Sequence, residues 1–172
     1  EAERLLVHAQ RLAVSRGWQR LQAMMLAEQV RVRLQRGNVT GAEQLQRQLE
    51  QMAASFRMDA EHPCQRAIAL SASLSHCRLL LARGQAPQAC ILLADIVPDQ
   101  ENRGDRLTAA RLRTLWSLAL WNSGKTAAAR TTFQPVVQLA EQQHLKGLFL
   151  EAGDTLQPLL AGMNESSSAC TE

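Results

Sequence analysis

A short frame occurs three times in this chain: Leu34-x-x-Gly37-x4-Ala42, Leu81-x-x-Gly84-x4-Ala89 and Trp121-x-x-Gly124-x4-Ala129. The glycines are 47 and 40 residues apart, and an aliphatic residue stands seven positions after each alanine, at Leu49, Ile96 and Val136. Arg16-Gly17 and Arg103-Gly104 each precede a frame glycine by 20 residues. Such spacing constrains the fold more than composition does, because it describes one supersecondary unit used repeatedly. Each unit reads as helix, tight turn, helix. The glycine ends the first helix in a left-handed conformation that a Cβ would oppose. The alanine, near the start of the second helix, lets the paired helices approach closely.

Apolar residues between the turns follow helical spacing, as in Leu21, Met25, Leu26, Val30 and Leu34, or Ile68, Leu70, Leu74, Cys77, Leu80 and Leu81. No segment reads as a strand. The expected layout is helices over 2–16, 18–36, 40–56, 65–83, 87–98, 105–123, 126–143 and 154–162. The longer loops fall at Met58–Pro63 and Val97–Gly104. Pro135 should kink the seventh helix or mark a wrong boundary, whereas Pro158 fits a first turn behind Asp154 as N-cap. The fold class expected is all-α, an α-α superhelix of about three repeats with a leading and a closing helix. One domain over 1–163 is expected, followed by a polar, Ser-rich linker over 164–172.

With 46% hydrophobic and 20% charged residues in 172, the chain can bury a core without staples. Its 17 Arg and 2 Lys are scattered among 16 acidic residues, so no nucleic-acid footprint is visible. No uncharged stretch approaches the roughly 20 residues of a membrane span. Four cysteines, Cys64, Cys77, Cys90 and Cys170, are too few for a secreted disulfide scaffold, and a cytoplasmic setting is expected. Glu1 to Arg16 is already helical in pattern, which reads as a fragment of a longer protein.

The Gly-x4-Ala turn with paired helices resembles a tetratricopeptide repeat with lengthened helices. The last third is more specific: Arg111-Leu-Arg-Thr-Leu-Trp-Ser-Leu-Ala-Leu-Trp-Asn-Ser-Gly124, then Ala127-Ala-Ala-Arg-Thr-Thr-Phe133, Leu139-Ala-Glu141, Leu148-Phe-Leu-Glu-Ala-Gly153 and Leu159-Leu160. This resembles the superhelical sensor region of the MalT-like, LuxR-type transcriptional regulators, among the signal-transducing ATPases with numerous domains. The resemblance implies an inducer-sensing and self-association region between an ATPase module and a DNA-binding helix-turn-helix. ATP would belong to the upstream module, with no cofactor in this chain. A small-molecule inducer, self-association and contact with the flanking modules are the partners implied; direct nucleic-acid binding and membrane contact are not.

Ala119-Leu-Trp-Asn-Ser-Gly124-Lys125-Thr126 satisfies a loose phosphate-loop signature, yet it lacks a preceding strand and uses the repeat's own turn glycine. His62, Cys64, His76 and Cys77 lack the close pairs of structural zinc sites. Cys64, Cys77 and Cys90 happen to be spaced by 13. Cys77 takes the same repeat position as Val30 and Ser117, which suggests a small buried slot. His8 and His144 are expected on helices without a catalytic partner, so neither metal binding nor enzymatic activity is expected. Asn38-Val-Thr40 and Asn164-Glu-Ser166 match glycosylation sequons, which carry no meaning in a cytosolic protein. Trp18, Trp116, Trp121, Phe56, Phe133 and Phe149 are expected as core or helix-pair anchors.

In stacked repeats the first helices line the concave face that binds partners. Ten and six residues before the frame glycines stand Ala27 and Arg31, Leu74 and Arg78, Thr114 and Leu118, with Gln35 and Arg111 as neighbours. Arg31 and Arg78 are thus equivalent positions on successive first helices. A carboxylate or phosphate between them would accept charge-assisted hydrogen bonds worth roughly 1.5–3 kcal/mol each. Two readings stay open: both arginines solvated or paired with Glu28 and other acids, or a groove for a small anionic inducer or acidic peptide segment. An adaptor or chaperone that binds a protein partner shares the same fold and is the competing function.

Overall fold

The computed structural model describes residues 1–55, 62–145, 147–149 and 153–161. Among them every regular element is helical: α1 Ala2–Ser15, α2 Gln19–Gln35, α3 Val39–Ser55, α4 Pro63–Ala82, α5 Ala86–Asn102, α6 Arg106–Asn122 and α7 Thr126–Gln143. A 3-10 turn, Gly153–Leu156, leads into a helical segment at 157–161, with Pro158 near its start. The fold is all-α and built from helix–turn–helix repeats. Expected features at Phe56, Met58–Glu61, Glu151–Ala152, the tail from 164 onward, its sequon and Cys170 lie outside the described residues.

The turns behave as the frame requires. Gly37 has φ +72°, its amide donates to Leu34 O at 3.0 Å, and the Asn38 amide donates to Arg33 O at 2.9 Å. Gly124 repeats this pattern, with bonds from Gly124 N to Trp121 O (3.0 Å) and from Lys125 N to Leu120 O (2.9 Å). This double bond closes the carbonyls left open at a helix end. The next helix is then capped from within the turn: Asn38 Oδ1 accepts from Gly41 N at 2.9 Å, and Asp105 Oδ1 from Thr108 N at 3.1 Å. A side chain at Gly41 would meet the Asn38 amide at 2.7–2.9 Å, which accounts for the second glycine of that repeat. The Asn38 sequon is therefore a helix cap.

The frame alanines Ala42, Ala89 and Ala129 are each 0% exposed. The slot seven residues before each glycine is equally closed, with Val30, Cys77 and Ser117 all at 0%. Ser117 satisfies its hydroxyl on Arg113 O at 2.8 Å.

The chain sorts into two compact units, Glu1–Arg83 and Gly84 onward, divided at one of the repeat's own turns. In the first, α2 packs against α1, α3 and α4, and α3 against α4, over a core that includes Leu26, Val30, Leu45, Leu49, Ile68 and Leu79. In the second, α6 packs against both α5 and α7, burying Leu93, Leu112, Phe133 and Val136. Phe133 and Phe149 meet edge to face, with centroids 6.0 Å apart.

Three expectations change. Val97–Asn102 is helix, not loop. By contrast α7 runs through Pro135 over the expected 126–143. Pro98 and Pro135 each deprive one carbonyl of its donor, those of Ala94 and Thr131. All four residues are on exposed faces, so those carbonyls are open to water while buried Val97 and Val136 hold the helices in place. Trp18 is no core anchor: it is 52% exposed, because it stands directly after Gly17 in the turn position that Asn38 and Lys125 also hold. His144 is not inside a helix but terminates α7 in the left-handed region, φ +54°.

Candidate functional site

Direct packing of α2 against α4 places the first helices of two repeats side by side. Arg31 and Arg78, each six residues before its glycine, thereby hold equivalent positions on adjacent helices, both half-buried. The Arg31 guanidinium is fixed along its own helix. Nε donates to Glu28 Oε2 at 2.7 Å and Nη1 to Gln35 Oε1 at 3.3 Å. These groups sit at i−3 and i+4, the spacing that brings side chains together on one helix face. The pairing leaves Nη2 of Arg31 without a hydrogen-bond partner among the described residues. Leu74 is half-buried on α4.

Other predicted site residues stand differently. Ala27 is 6% exposed and belongs to the core of the first unit, so it spaces helices and offers no surface. Thr114 is 3% exposed, and its hydroxyl donates to Ala110 O at 2.9 Å, one turn back on α6. Its position ten residues before the glycine is buried for the same reason as that of Ala27: both face into the helix pair. Arg111 and Thr114 belong to the second unit, and Arg111 is half-buried on α6.

A cleft of about 290 Å³ opens in the second unit between α6 and α7, with Glu101 of α5 at its margin. Residues 106, 109, 110 and 113 of α6 face residues 135, 138, 139 and 142 of α7 across it, the same i, i+3, i+4, i+7 stripe on each helix. No motif in the sequence marks this cleft. Two arginines flanking Ala109-Ala110 were the available signal, but which α7 stripe faces them depends on packing.

At the phosphate-loop look-alike, residues 119–122 are helical and the amides of Gly124 and Lys125 are bonded inside the turn. A phosphate cradle needs those amides free. His62 caps α4, its Nδ1 accepting from Cys64 N at 3.3 Å, and His76 Nδ1 lies 3.1 Å from Glu50 Oε1. Among the described residues no three His, Cys, Asp or Glu side chains group as metal ligands. The Cys77 thiol is pushed up to about 12 by burial, with nearby Arg78 acting in the opposite sense. No helix among the described residues is long and apolar enough to cross a membrane.

Glycine-ended first helices, alanine-spaced second helices and direct stacking of successive first helices define a tandem helical-repeat protein of the tetratricopeptide class. Within that class, the family model for the MalT-like TPR region matches residues 1–166, and the chain belongs to that family. Comparisons with curated proteins and with solved structures returned no match.

Proposed function

We propose that this chain is the ligand-sensing and self-association region of a LuxR-type transcriptional regulator, and that it takes a small anionic inducer on the α2–α4 face through Arg31 and Arg78. Membership of the MalT-like TPR family across nearly the whole chain carries this reading. Arg31 supports the choice of site: Glu28 and Gln35 hold its guanidinium in place, so little side-chain freedom is lost when an anion binds. Arg78, on the adjacent helix, supplies a second cation. A carboxylate or phosphate is the chemistry that two such groups recognise. Chemistry and DNA binding would lie in other modules of the parent regulator.

A thermal-shift screen of the chain with carboxylates and sugar phosphates tests the proposal. The expected result is saturable stabilisation by one class of anion that disappears in Arg31→Ala/Arg78→Ala. Equal stabilisation of wild type and double variant would overturn the site. Capture of a peptide-bearing partner, with no response to any small anion, would move the function to the adaptor class.

A further inference from the structure

The α6–α7 cleft departs from the repeat's own packing. Counted from the frame glycine, Arg113 occupies the position that Leu26 fills in the first unit. Leu26 is 1% exposed and sits in the core, whereas Arg113 extends to Glu101, with Nη1 3.5 Å from Thr132 O. The side chain at this register thus lines the margin of the cleft instead of filling the helix pair. Ala109 and Ala110, 4% and 3% exposed, close the bottom of the cleft with Val136, and the more exposed Pro135 and Leu139 supply its apolar wall.

The margin is charged and unevenly balanced. Glu101 is paired with Arg113, while Arg106, exposed at the first position of α6, has no partner among the described residues. Connection through the tight Gly124 turn makes α6 and α7 antiparallel. The first turn of α6 thus lies at the end of the cleft where Gln142, near the end of α7, also borders it. An apolar wall, one uncompensated cation and a neighbouring amide describe a receptor for an apolar body with a single negative head. The volume is at the small end of small-molecule sites.

We infer that this cleft binds a short amphiphilic carboxylate, its apolar part against Pro135 and Leu139 and its carboxylate on Arg106. None of these residues belongs to the α2–α4 face, so this site does not depend on the one proposed above.

Titrating the ¹⁵N-labelled chain with octanoate, and in parallel with octanol and octyltrimethylammonium, tests it by two-dimensional NMR. Octanoate should produce saturable shifts confined to α6 and α7, binding about tenfold more tightly than octanol, the value of one charge-assisted hydrogen bond. Octyltrimethylammonium should bind more weakly than either. Arg106→Glu, an exposed substitution, should remove the preference for octanoate and keep octanol binding; Arg31→Ala/Arg78→Ala should change neither. Unsaturable shifts, shifts outside α6 and α7, or unchanged octanoate affinity in Arg106→Glu would overturn the inference while leaving the α2–α4 proposal standing.

Discussion

Arg83 and Glu43, 40 residues apart in sequence, are joined in the same way as Arg36 and Glu3. Arg83, the last residue before the Gly84 turn, donates from Nε to Glu43 Oε1 at 3.0 Å; Arg36, before Gly37, reaches Glu3 Oε2 at 2.5 Å. Both acids directly follow an alanine near the start of a second helix, Ala42 and Ala2. Each pair sets a cation at a helix C-terminus and an anion near a helix N-terminus, which the helix dipoles favour. The third copy of this latch is weaker: Cys90, after Ala89, stands 3.9 Å from Ser123, before Gly124.

The latch should therefore be transferable. Cys90→Glu/Ser123→Arg is expected to stabilise the second unit by about 0.5–1 kcal/mol, the range of a partly exposed ion pair. Urea unfolding of the double and both single variants measures it as a coupling energy. A double variant no more stable than the sum of the singles would show that the repeat position alone does not confer the pairing.

Packing at the frame alanines leaves no room for a larger side chain. Ala42→Leu or Ala129→Leu should cost about 1–3 kcal/mol through displacement of the paired helices. Replacing the exposed neighbour Ala128 by Leu should cost far less. Similar urea midpoints for the two kinds of variant would contradict close helix approach at the frame.

Burial of Cys77 gives stability an alkaline limb. Its thiol, ordinarily at 9.0, is pushed up to about 12, so above pH 9 the unfolded chain loses a proton that the folded chain keeps. The unfolded state binds fewer protons there, and stability must fall as pH rises from about 9 towards 12, by at most about 1.4 kcal/mol per pH unit. The chain has no tyrosine, which removes one class of group that ordinarily titrates in this window. Cys77→Val, which copies Val30 in the equivalent slot, should flatten the limb at little cost near neutrality. An unchanged pH profile in that variant would assign the limb to other groups.

His144 closes α7 at φ +54°, where the other helix ends described above use glycine. Leu145 N donates to Ala140 O at 3.0 Å across it. His144→Gly should remove the Cβ penalty and stabilise the chain by roughly 1 kcal/mol. A lower melting temperature would mean that the imidazole makes a contribution larger than the strain it causes.

How much could be read in advance follows from how local each cause is. Repeat frame, turn glycines, buried alanines and the Val30–Cys77–Ser117 slot were legible, because each reflects a steric demand within one helix–turn–helix unit. The ends of α1 to α7 agree with the expected layout to within two residues, α7 at both ends, except at the end of α5, where Pro98 reads locally as a stop. Trp18 reads as an anchor by size, yet its turn position keeps it in water. At the candidate site, register alone gives Arg31 and Arg78 equivalent positions on successive first helices, while the burial of Ala27 and Thr114 depends on which way their face turns.

The sequence alone determined that this chain is a helical repeat, since a left-handed turn selects glycine and close helix approach selects alanine at fixed spacing. Only the tertiary structure decided which charges meet and where volume is left open. Glu3 and Arg36, Glu43 and Arg83, and the facing stripes of α6 and α7 are remote or separately patterned in the chain. Their proximity comes from packing of whole helices, a collective property that no local spacing encodes.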